Sequence, residues 1–435
     1  MLNCYVTSIL RYNKFMRVYF SGTGGMGIGP LAEIAYQAGY DVVGSDITPN
    51  LMTRHLEKQG IPVLLGQDGS QIEAEHSKQP IDWLVYSSAL PDNHPELMFA
   101  RNHGIRISKR DEFLLKLLKD QNLKLIAVAG THGKTTTTGM MVWTLRQLGV
   151  PVSYSLGTTV NFAPSGYYDP ASEYFIYECD EFDRNFLHFQ PYLSLITSVD
   201  YDHHDTYPTQ KDYISAFNQF LTQSNQVILW QKDIKDGLLP PNNAKILPDE
   251  AIRSLRLAGQ HNRANATLVV AACKLLNIAT EDQVCSAIND FPGTDRRFEK
   301  LADNLYSDYG HHPTEIKATL QMASELSNQV VLVYQPHQNV RQHEIRSQYT
   351  DDIFTHASKI YWLPTYLTRE DPSLPVLKPQ ELTSQLSYPE KIHYAELDDN
   401  LWQNIRSELQ NGKLVLCMGA GTIDGWLRNQ LESNS

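Results

Sequence analysis

The segment with the clearest chemical potential is Gly130-Thr131-His132-Gly133-Lys134-Thr135-Thr136, between a strand-like run and a helical pattern. Its glycines let the backbone curl so that N–H groups face phosphate oxygens, and the helix N-terminus that follows adds a partial positive charge. The lysine would reach the terminal phosphates of a nucleotide, and the next threonine would ligate Mg²⁺. Because the general motif has glycine where this chain has Val128, the sequence predicts a shortened phosphate-binding loop.

A second glycine cluster, Gly22-Thr23-Gly24-Gly25-Met26-Gly27, follows the strand-like residues 17–20, and Asp46 ends the next strand-like run. This spacing fits the dinucleotide-binding fingerprint in outline. A diphosphate would sit on the helix N-terminus, with Asp46 accepting hydrogen bonds from a hydroxyl or a base. The pattern alone does not distinguish nucleotides, and a glycine turn without a ligand is the structural alternative.

Acidic residues and histidines follow further strand-like runs. Glu178-Cys179-Asp180-Glu181 comes after residues 174–177, and Thr135 with Glu178 makes a plausible Mg²⁺ pair. The segment Asp200-Tyr201-Asp202-His203-His204-Asp205 offers ligands for a second cation or a site for an ordered water. Asp308-Tyr309-Gly310-His311-His312 and Gln335-Pro336-His337, with Arg341 downstream, indicate a substrate-facing edge, with capping and turn residues as the alternative.

Strand-like and helical patterns alternate along the 435 residues, which predicts α/β folding with mostly parallel sheets. At about 150 residues per domain this length gives three domains. We place a flexible leader at 1–15 and domains at 16–122, 123–294 and 295–435. The Pro- and Asn-rich residues 238–248 are predicted to form a loop.

Composition excludes several classes of protein. The net charge of −12 argues against a nucleic-acid-binding surface, and no apolar run is long enough for a membrane helix. Charged residues follow the N-terminal apolar stretch instead of preceding it, so a cytoplasmic location is expected. The five scattered cysteines predict neither disulfides nor a zinc site.

Together these motifs, in their order along residues 16–428, resemble the Mur ligase family of peptidoglycan synthesis, nearest to its alanine-adding branch. Further carriers of the resemblance are Ser87-Ser88-Ala89, His261-Asn262-Arg263-Ala264-Asn265, Arg296-Arg297-Phe298 and Gly419-Ala420-Gly421. The resemblance implies an N-terminal Rossmann-like UDP-binding domain, a central P-loop ATPase domain and a C-terminal Rossmann-like α/β domain. It also implies an ATP-dependent ligase that joins L-alanine to the lactoyl carboxylate of UDP-N-acetylmuramate through an acyl phosphate, as a monomer or homodimer.

The resemblance also assigns residues to roles. The expected catalytic residues are Lys134, Glu178 and His203, and the ligands of Mg²⁺ or Mn²⁺ are Thr135, Glu178 and His203. The UDP-sugar site would comprise Gly24, Gly25, Met26, Gly27, Ser45, Asp46, Ser88 and His188. The ATP site would comprise Gly130, Thr131, His132, Gly133, Lys134, Thr135, Thr136, Asn262, Asn265 and Arg297. The C-terminal substrate wall would comprise Asp308, His311, His312, His337 and Arg341.

The chain departs from the family pattern at Gln338, where arginine is usual, and it is shorter than usual between Trp230 and Gly259. The near alternative is the relative that attaches a recycled tripeptide to the same sugar nucleotide. It typically lengthens the stretch after the Glu178-like acid, which is short here. A nicotinamide-dependent dehydrogenase or a non-catalytic nucleotide-binding protein would be alternatives of another class.

Overall fold

A computed structural model describes residues 16–203, 206–234, 237–368 and 370–433. They form two units, one within Met1–Glu250 and Leu268–Phe291, the other within Ala251–Thr267 and Pro292–Ser435. The predicted leader at 1–15, together with His204 and Asp205, lies outside the described residues.

The first unit begins with a five-stranded parallel sheet in the order β3-β2-β1-β4-β5. Its strands are β1 (Arg17–Ser21), β2 (Asp41–Asp46), β3 (Val63–Leu65), β4 (Trp83–Tyr86) and β5 (Arg106–Lys109). The helices between them are Gly29–Gln37, Leu51–Lys58, Ser70–Lys78 and Pro95–Asn102, and Arg110–Asp120 follows β5. The chain turns from one half of the sheet to the other beside β1, so the glycine cluster after β1 lies at a topological switch point, where ligands bind in such sheets.

The same unit continues with a seven-stranded sheet in the order β12-β11-β10-β6-β9-β7-β8, parallel except for the pair β7–β8. Its strands are β6 (Lys124–Ala129), β7 (Ser153–Ser155), β8 (Gly166–Tyr167), β9 (Tyr174–Glu178), β10 (Leu193–Ile196), β11 (Val227–Trp230) and β12 (Ala244–Leu247). The helices are Lys134–Gln147, Gln210–Gln223, Gln231–Ile234 and Glu281–Asn289, with a 3₁₀ segment at Phe182–His188. Strand β6 lies between β10 and β9, so the loops after these three strands share one edge of the sheet.

The second unit contains a six-stranded sheet in the order β13-β14-β18-β15-β16-β17, parallel except for β13–β14. Its strands are β13 (Glu299–Ala302), β14 (Leu305–Asp308), β15 (Val330–Tyr334), β16 (Ala357–Trp362), β17 (Ile392–Tyr394) and β18 (Leu414–Met418). Its helices are Pro313–Leu326, Asn339–Ile345, Pro379–Leu382, Asp399–Gln410 and Ile423–Ser433, with 3₁₀ turns at Arg346–Gln348 and Pro389–Lys391. The helix Gln260–Leu275 runs from this unit into the first.

Three mostly parallel sheets with interleaved helices confirm the predicted α/β class and its three-domain architecture. The prediction of a loop over residues 238–248 is wrong for Ala244–Leu247, which pairs parallel with β11. Pro240, Pro241, Asn242 and Asn243 lie before this strand and Pro248 follows it, and the free edge of β11 supplies the ladder that orders it. No disulfide joins the four cysteines that the structure describes, and no helix among the described residues has the length and apolarity to cross a membrane.

Candidate functional site

The predicted phosphate-binding loop connects β6 to the helix Lys134–Gln147. Gly130 has φ of +135°, and a Cβ atom there would lie 2.3 Å from Thr197 Oγ1, so only glycine fits. The Thr131 hydroxyl donates to the Asp200 backbone carbonyl at 2.8 Å, and the His132 N–H donates to Ser198 Oγ at 3.0 Å. The loop is therefore fixed by the segment that follows β10.

Lys134 is held in the loop by acceptors on both sides. Its ammonium group donates to the carbonyl of Gly130 at 2.6 Å and to Glu181 Oε2 at 2.8 Å. Burial would lower the pKa of Lys134, but the carboxylates of Glu181 and Asp180 outweigh it and raise this pKa. The lysine is therefore a fixed positive charge at the point where a nucleotide's phosphates are expected.

Glu181 stands at the centre of this edge of the sheet. Its side chain is fully buried, and its Oε1 lies 3.3 Å from His203 Nε2. Burial would raise the pKa of Glu181, but Lys134 and His203 lower it overall. Burial would lower the pKa of His203, but the hydrogen bond to Glu181 and the charge of Asp202 raise it. These opposed charges stabilise one another and keep the carboxylate ionised.

The predicted metal ligands fall into two adjoining groups. Thr135 Oγ1 donates to Glu178 Oε1 at 3.0 Å, while His203 lies with Asp180 and Glu181 in a group whose ligand atoms are within 4.8 Å of one another. Hydroxyl and carboxylate oxygens with one imidazole are a donor set that suits Mg²⁺ or Mn²⁺. The residues present therefore fit a divalent cation.

Glu181 belongs to the acidic segment after β9 but is not among the site residues that the sequence predicts. Glu181 differs from the neighbouring acids in its complete burial, and Asp183 and Arg184 follow it at φ of +54° and +57°. Its position three residues after Glu178 was the available signal.

The glycine cluster after β1 is tied to the end of β2. The N–H groups of Gly22 and Thr23 donate to the Ser45 carbonyl at 2.9 and 3.0 Å, and the Gly24 N–H donates to Asp46 Oδ2 at 2.7 Å. Asp46 was expected to face a nucleotide, and here one of its oxygens holds the glycine loop. Gly25, Met26 and Gly27 follow in the same turn, before the helix Gly29–Gln37.

Two other expected UDP-sugar residues lie on separate segments of the same unit. Ser88 is exposed in the turn after β4. His188 ends the 3₁₀ segment Phe182–His188, and its Nδ1 contacts the Asp111 carboxylate. Each stays a prediction as a ligand of the sugar nucleotide.

Three of the expected ATP residues, Asn262, Asn265 and Arg297, belong to the second unit. Asn262 donates to the Ala258 carbonyl at 3.1 Å, and Asn265 is buried. The Arg297 guanidinium lies over the Tyr309 ring, and its Nη1 is 4.0 Å from Glu315 Oε1. Thr136, by contrast, lies in the first turn of the helix after the phosphate-binding loop.

The expected substrate wall gathers after β14 and β15. Asp308 accepts the N–H groups of Phe298 and Gly310 at 2.8 and 2.7 Å, while burial raises its pKa to about 6. The rings of His311 and His337 are 5.3 Å apart, and burial lowers the pKa of His311 to about 4.

His312 and Arg341 occupy the helices that follow these strands. His312 caps the helix Pro313–Leu326, because its Nδ1 accepts the Thr314 N–H at 3.3 Å. Arg341 is on Asn339–Ile345, close enough to His311 to help lower its pKa. Gln338 precedes that helix at φ of +58°.

Comparisons with known proteins match segments of the chain that contain all three sheets. Three family models cover residues 17–122 ("Mur ligase family, catalytic domain"), 128–238 ("Mur ligase middle domain") and 296–421 ("Mur ligase, glutamate ligase domain"). A UDP-N-acetylmuramate–L-alanine ligase from Coxiella burnetii is 30% identical, over 93% of this chain and 95% of its own.

Two solved structures are similar in fold. A UDP-N-acetylmuramate–alanine ligase from Thermotoga maritima has a TM-score of 0.75 at 25% identity, with coverage of 96% of this chain and 99% of its own. A murein peptide ligase from Psychrobacter arcticus has a TM-score of 0.63 at 23% identity, with coverage of 96% and 98%.

Proposed function

We propose that this chain, which belongs to the Mur ligase family, is an ATP-dependent ligase that joins L-alanine to the lactoyl carboxylate of UDP-N-acetylmuramate. One observation carries the proposal: a phosphate-binding loop and two groups of metal-type ligands meet at one sheet edge, in a chain that aligns over 93% of its length with an alanine ligase. The reaction belongs to the synthesis of peptidoglycan precursors.

The proposed chemistry has two steps. The lactoyl carboxylate attacks the γ-phosphorus of ATP, ADP leaves, and an acyl phosphate forms. The amine of L-alanine, as free base, then attacks the acyl carbon; a proton is lost, inorganic phosphate leaves and the amide remains. Lys134 stabilises the charge that spreads over the transferred phosphoryl oxygens, so positioning and electrostatics supply most of the rate.

Thr135, Glu178 and His203 would hold the divalent cation, and the neighbouring Asp180 and Glu181 add carboxylates beside them. When bound, the cation neutralises phosphate charge. We propose Mg²⁺, or Mn²⁺ in its place, since oxygen donors predominate. Glu181 keeps both Lys134 and His203 oriented toward this place.

A nicotinamide-dependent dehydrogenase would leave the Lys134 loop unexplained. A non-catalytic nucleotide-binding protein would use that loop but has no need for a second nucleotide fold in front of it. The tripeptide ligase keeps the same sugar nucleotide and differs only in its acceptor. We propose the alanine reaction because the relative at 30% identity carries that name. We further propose that the enzyme acts in the cytoplasm, as a monomer or homodimer, without nucleic-acid partners.

The test is phosphate release with ATP, Mg²⁺ and UDP-N-acetylmuramate, comparing L-alanine, glycine, L-serine and the tripeptide L-alanyl-γ-D-glutamyl-diaminopimelate. We expect release that depends on L-alanine. An apolar pocket distinguishes one methyl group by only about 1–3 kcal/mol, so some activity with glycine is compatible with the proposal. Release with the tripeptide alone would move the protein to the recycling reaction, and no acceptor-dependent release would contradict a ligase.

A further inference from the structure

Three consecutive charged residues, Lys109, Arg110 and Asp111, lead from β5 into the helix Arg110–Asp120. Two of them are engaged with the 3₁₀ segment Phe182–His188: Lys109 Nζ lies 3.2 Å from Asp183, and Asp111 contacts His188. The guanidinium of Arg110 makes no hydrogen bond or close ion pair within the part of the chain that the structure describes. Arg110 is therefore the one of the three whose N–H donors are available to a ligand.

Arg110 lies against the glycine loop on one side. A Cβ atom added to Gly27 would lie 2.7 Å from Arg110 Nη1, so the guanidinium occupies the space beside the last glycine of that loop. This glycine does not need an unusual backbone conformation; it allows the arginine to approach.

The charge of Arg110 also interacts with the acidic end of β9. Tyr177, Asp180, Asp111 and Glu178 raise the pKa of Arg110 although burial opposes this, so the guanidinium stays charged. Glu178 and Asp180 belong to the two groups of metal-type ligands described above. Arg110 thus lies against the loop expected to bind a diphosphate, and its charge interacts with carboxylates from the place where phosphoryl transfer is expected.

A guanidinium offers five N–H donors in a planar fork that matches phosphate and carboxylate oxygens. Leaving these donors without partners in a half-buried place costs stability, and a bound anion would remove that cost. A sugar nucleotide that extends from the glycine loop to Lys134 brings two such anions along this path, its diphosphate and its lactoyl carboxylate.

We propose that Arg110 binds an anionic group of the sugar nucleotide and so orients this substrate between Gly27 and Glu178. The inference rests on the proposed function and adds a residue that neither the motifs nor the resemblance indicated. A phosphate and a carboxylate present the same acceptor chemistry to the guanidinium, and ligands with and without the carboxylate distinguish them.

The experiment is calorimetric binding of UDP-N-acetylmuramate, UDP-N-acetylglucosamine and ATP to the wild type, Arg110→Gln, Arg110→Lys and Lys109→Ala. We expect Arg110→Gln to weaken the binding of UDP-N-acetylmuramate at least about tenfold and to leave the affinity for ATP unchanged. Arg110→Lys should recover part of the affinity, because it keeps the charge and loses the fork. Lys109→Ala is the matched control: it removes a neighbouring charge and should leave the three affinities unchanged.

Weaker binding of both sugar nucleotides would identify the diphosphate as the partner, and a loss confined to UDP-N-acetylmuramate would identify the carboxylate. If both Arg110 variants bound the sugar nucleotides as the wild type does, or lost as much affinity for ATP, the inference would be overturned while the proposed function would stand. If the wild type bound neither sugar nucleotide, the proposed function would fail and the inference with it.

Discussion

The ammonium group of Lys134 lies 2.8 Å from the carboxylate of Glu181, and the same carboxylate lies 3.3 Å from His203. Glu181 therefore joins the phosphate-binding loop to the segment after β10. The lysine's donors are directed to Glu181 and to loop carbonyls. Binding of ATP requires at least part of these contacts to be exchanged for phosphate oxygens.

Replacement of this lysine is the first prediction. Lys134→Ala removes the charge expected to stabilise the transferred phosphoryl group, so acceptor-dependent phosphate release should fall at least about a hundredfold. Lys211→Ala, an exposed lysine on the helix Gln210–Gln223, is the control and should retain full activity. Near-normal turnover by Lys134→Ala would contradict the assignment of the phosphate-binding loop.

Glu178 is expected to act through the cation. Glu178→Gln keeps the size of the side chain and removes its charge, so the Mg²⁺ concentration for half-maximal activity should rise. A titration of activity against Mg²⁺ measures this, with Glu173→Gln as a control because Glu173 is exposed and pairs with Lys124. An unchanged titration would count against a ligand role for Glu178.

Asp46 should affect one substrate much more than the other. Asp46→Ala removes the acceptor of the Gly24 N–H and loosens the glycine loop, so UDP-N-acetylmuramate should bind more weakly while ATP binding stays constant. Calorimetric titration of both ligands tests this, beside the exposed Asp92→Ala. Equal losses for the two ligands would mean that the first sheet has been assigned the wrong substrate.

Phe113 tests the packing below the first sheet. Its ring is fully buried and meets those of Phe20, Tyr40 and Trp83 edge-on, with centroids 5.1–5.4 Å apart. Phe113→Ala should lower the free energy of unfolding by about 3–5 kcal/mol, and Phe113→Leu by less. Urea denaturation measures both, and a loss below about 1 kcal/mol for alanine would contradict the packing described.

Asp233 gives a prediction for pH. Burial raises its pKa to about 6 although Lys232 opposes this, and Asp200 adds to the rise. The unfolded chain releases this proton near pH 3.9, so the native state holds it more tightly and stability falls as pH rises between about 4 and 6. Asp233→Asn should remove this slope and raise the free energy of unfolding at neutral pH by up to about 3 kcal/mol. Urea denaturation of both proteins between about pH 4 and 6 tests this. If their free energies of unfolding changed with pH in the same way, the prediction would be wrong.

The strands that carry the site could be predicted because each is a short, mostly apolar run in a parallel sheet, as in Trp83–Tyr86 and Leu193–Ile196. Short edge strands such as Val63–Leu65 and Ile392–Tyr394 were not predicted. A strand of three residues is too short to show an alternation of apolar and polar side chains. Such strands form only because a neighbouring strand offers backbone hydrogen bonds.

The functional site, too, could be predicted only in part from the sequence. Motif spacing placed Lys134, Thr135 and Glu178 at one sheet edge, since consecutive loops of a parallel sheet meet there. It could not show that Asp46 turns back onto Gly24, that Glu181 faces Lys134, or that Arg110 lies beside Gly27. Each of these depends on contacts between segments far apart in the chain.

The first two sheets have one apolar core in common: Val18 and Phe113 from the first belong to the same buried cluster as Phe175 and Val227 from the second. Family models divide the sequence between residues 122 and 128, but this interior does not divide there. A hybrid that took its first 122 residues from a relative would have to inherit a matching inner surface as well. Recombination among such ligases should therefore succeed when residues 16–250 are exchanged together with 268–291, which belong to the same unit, and the joint after residue 122 should be a poor place to cut.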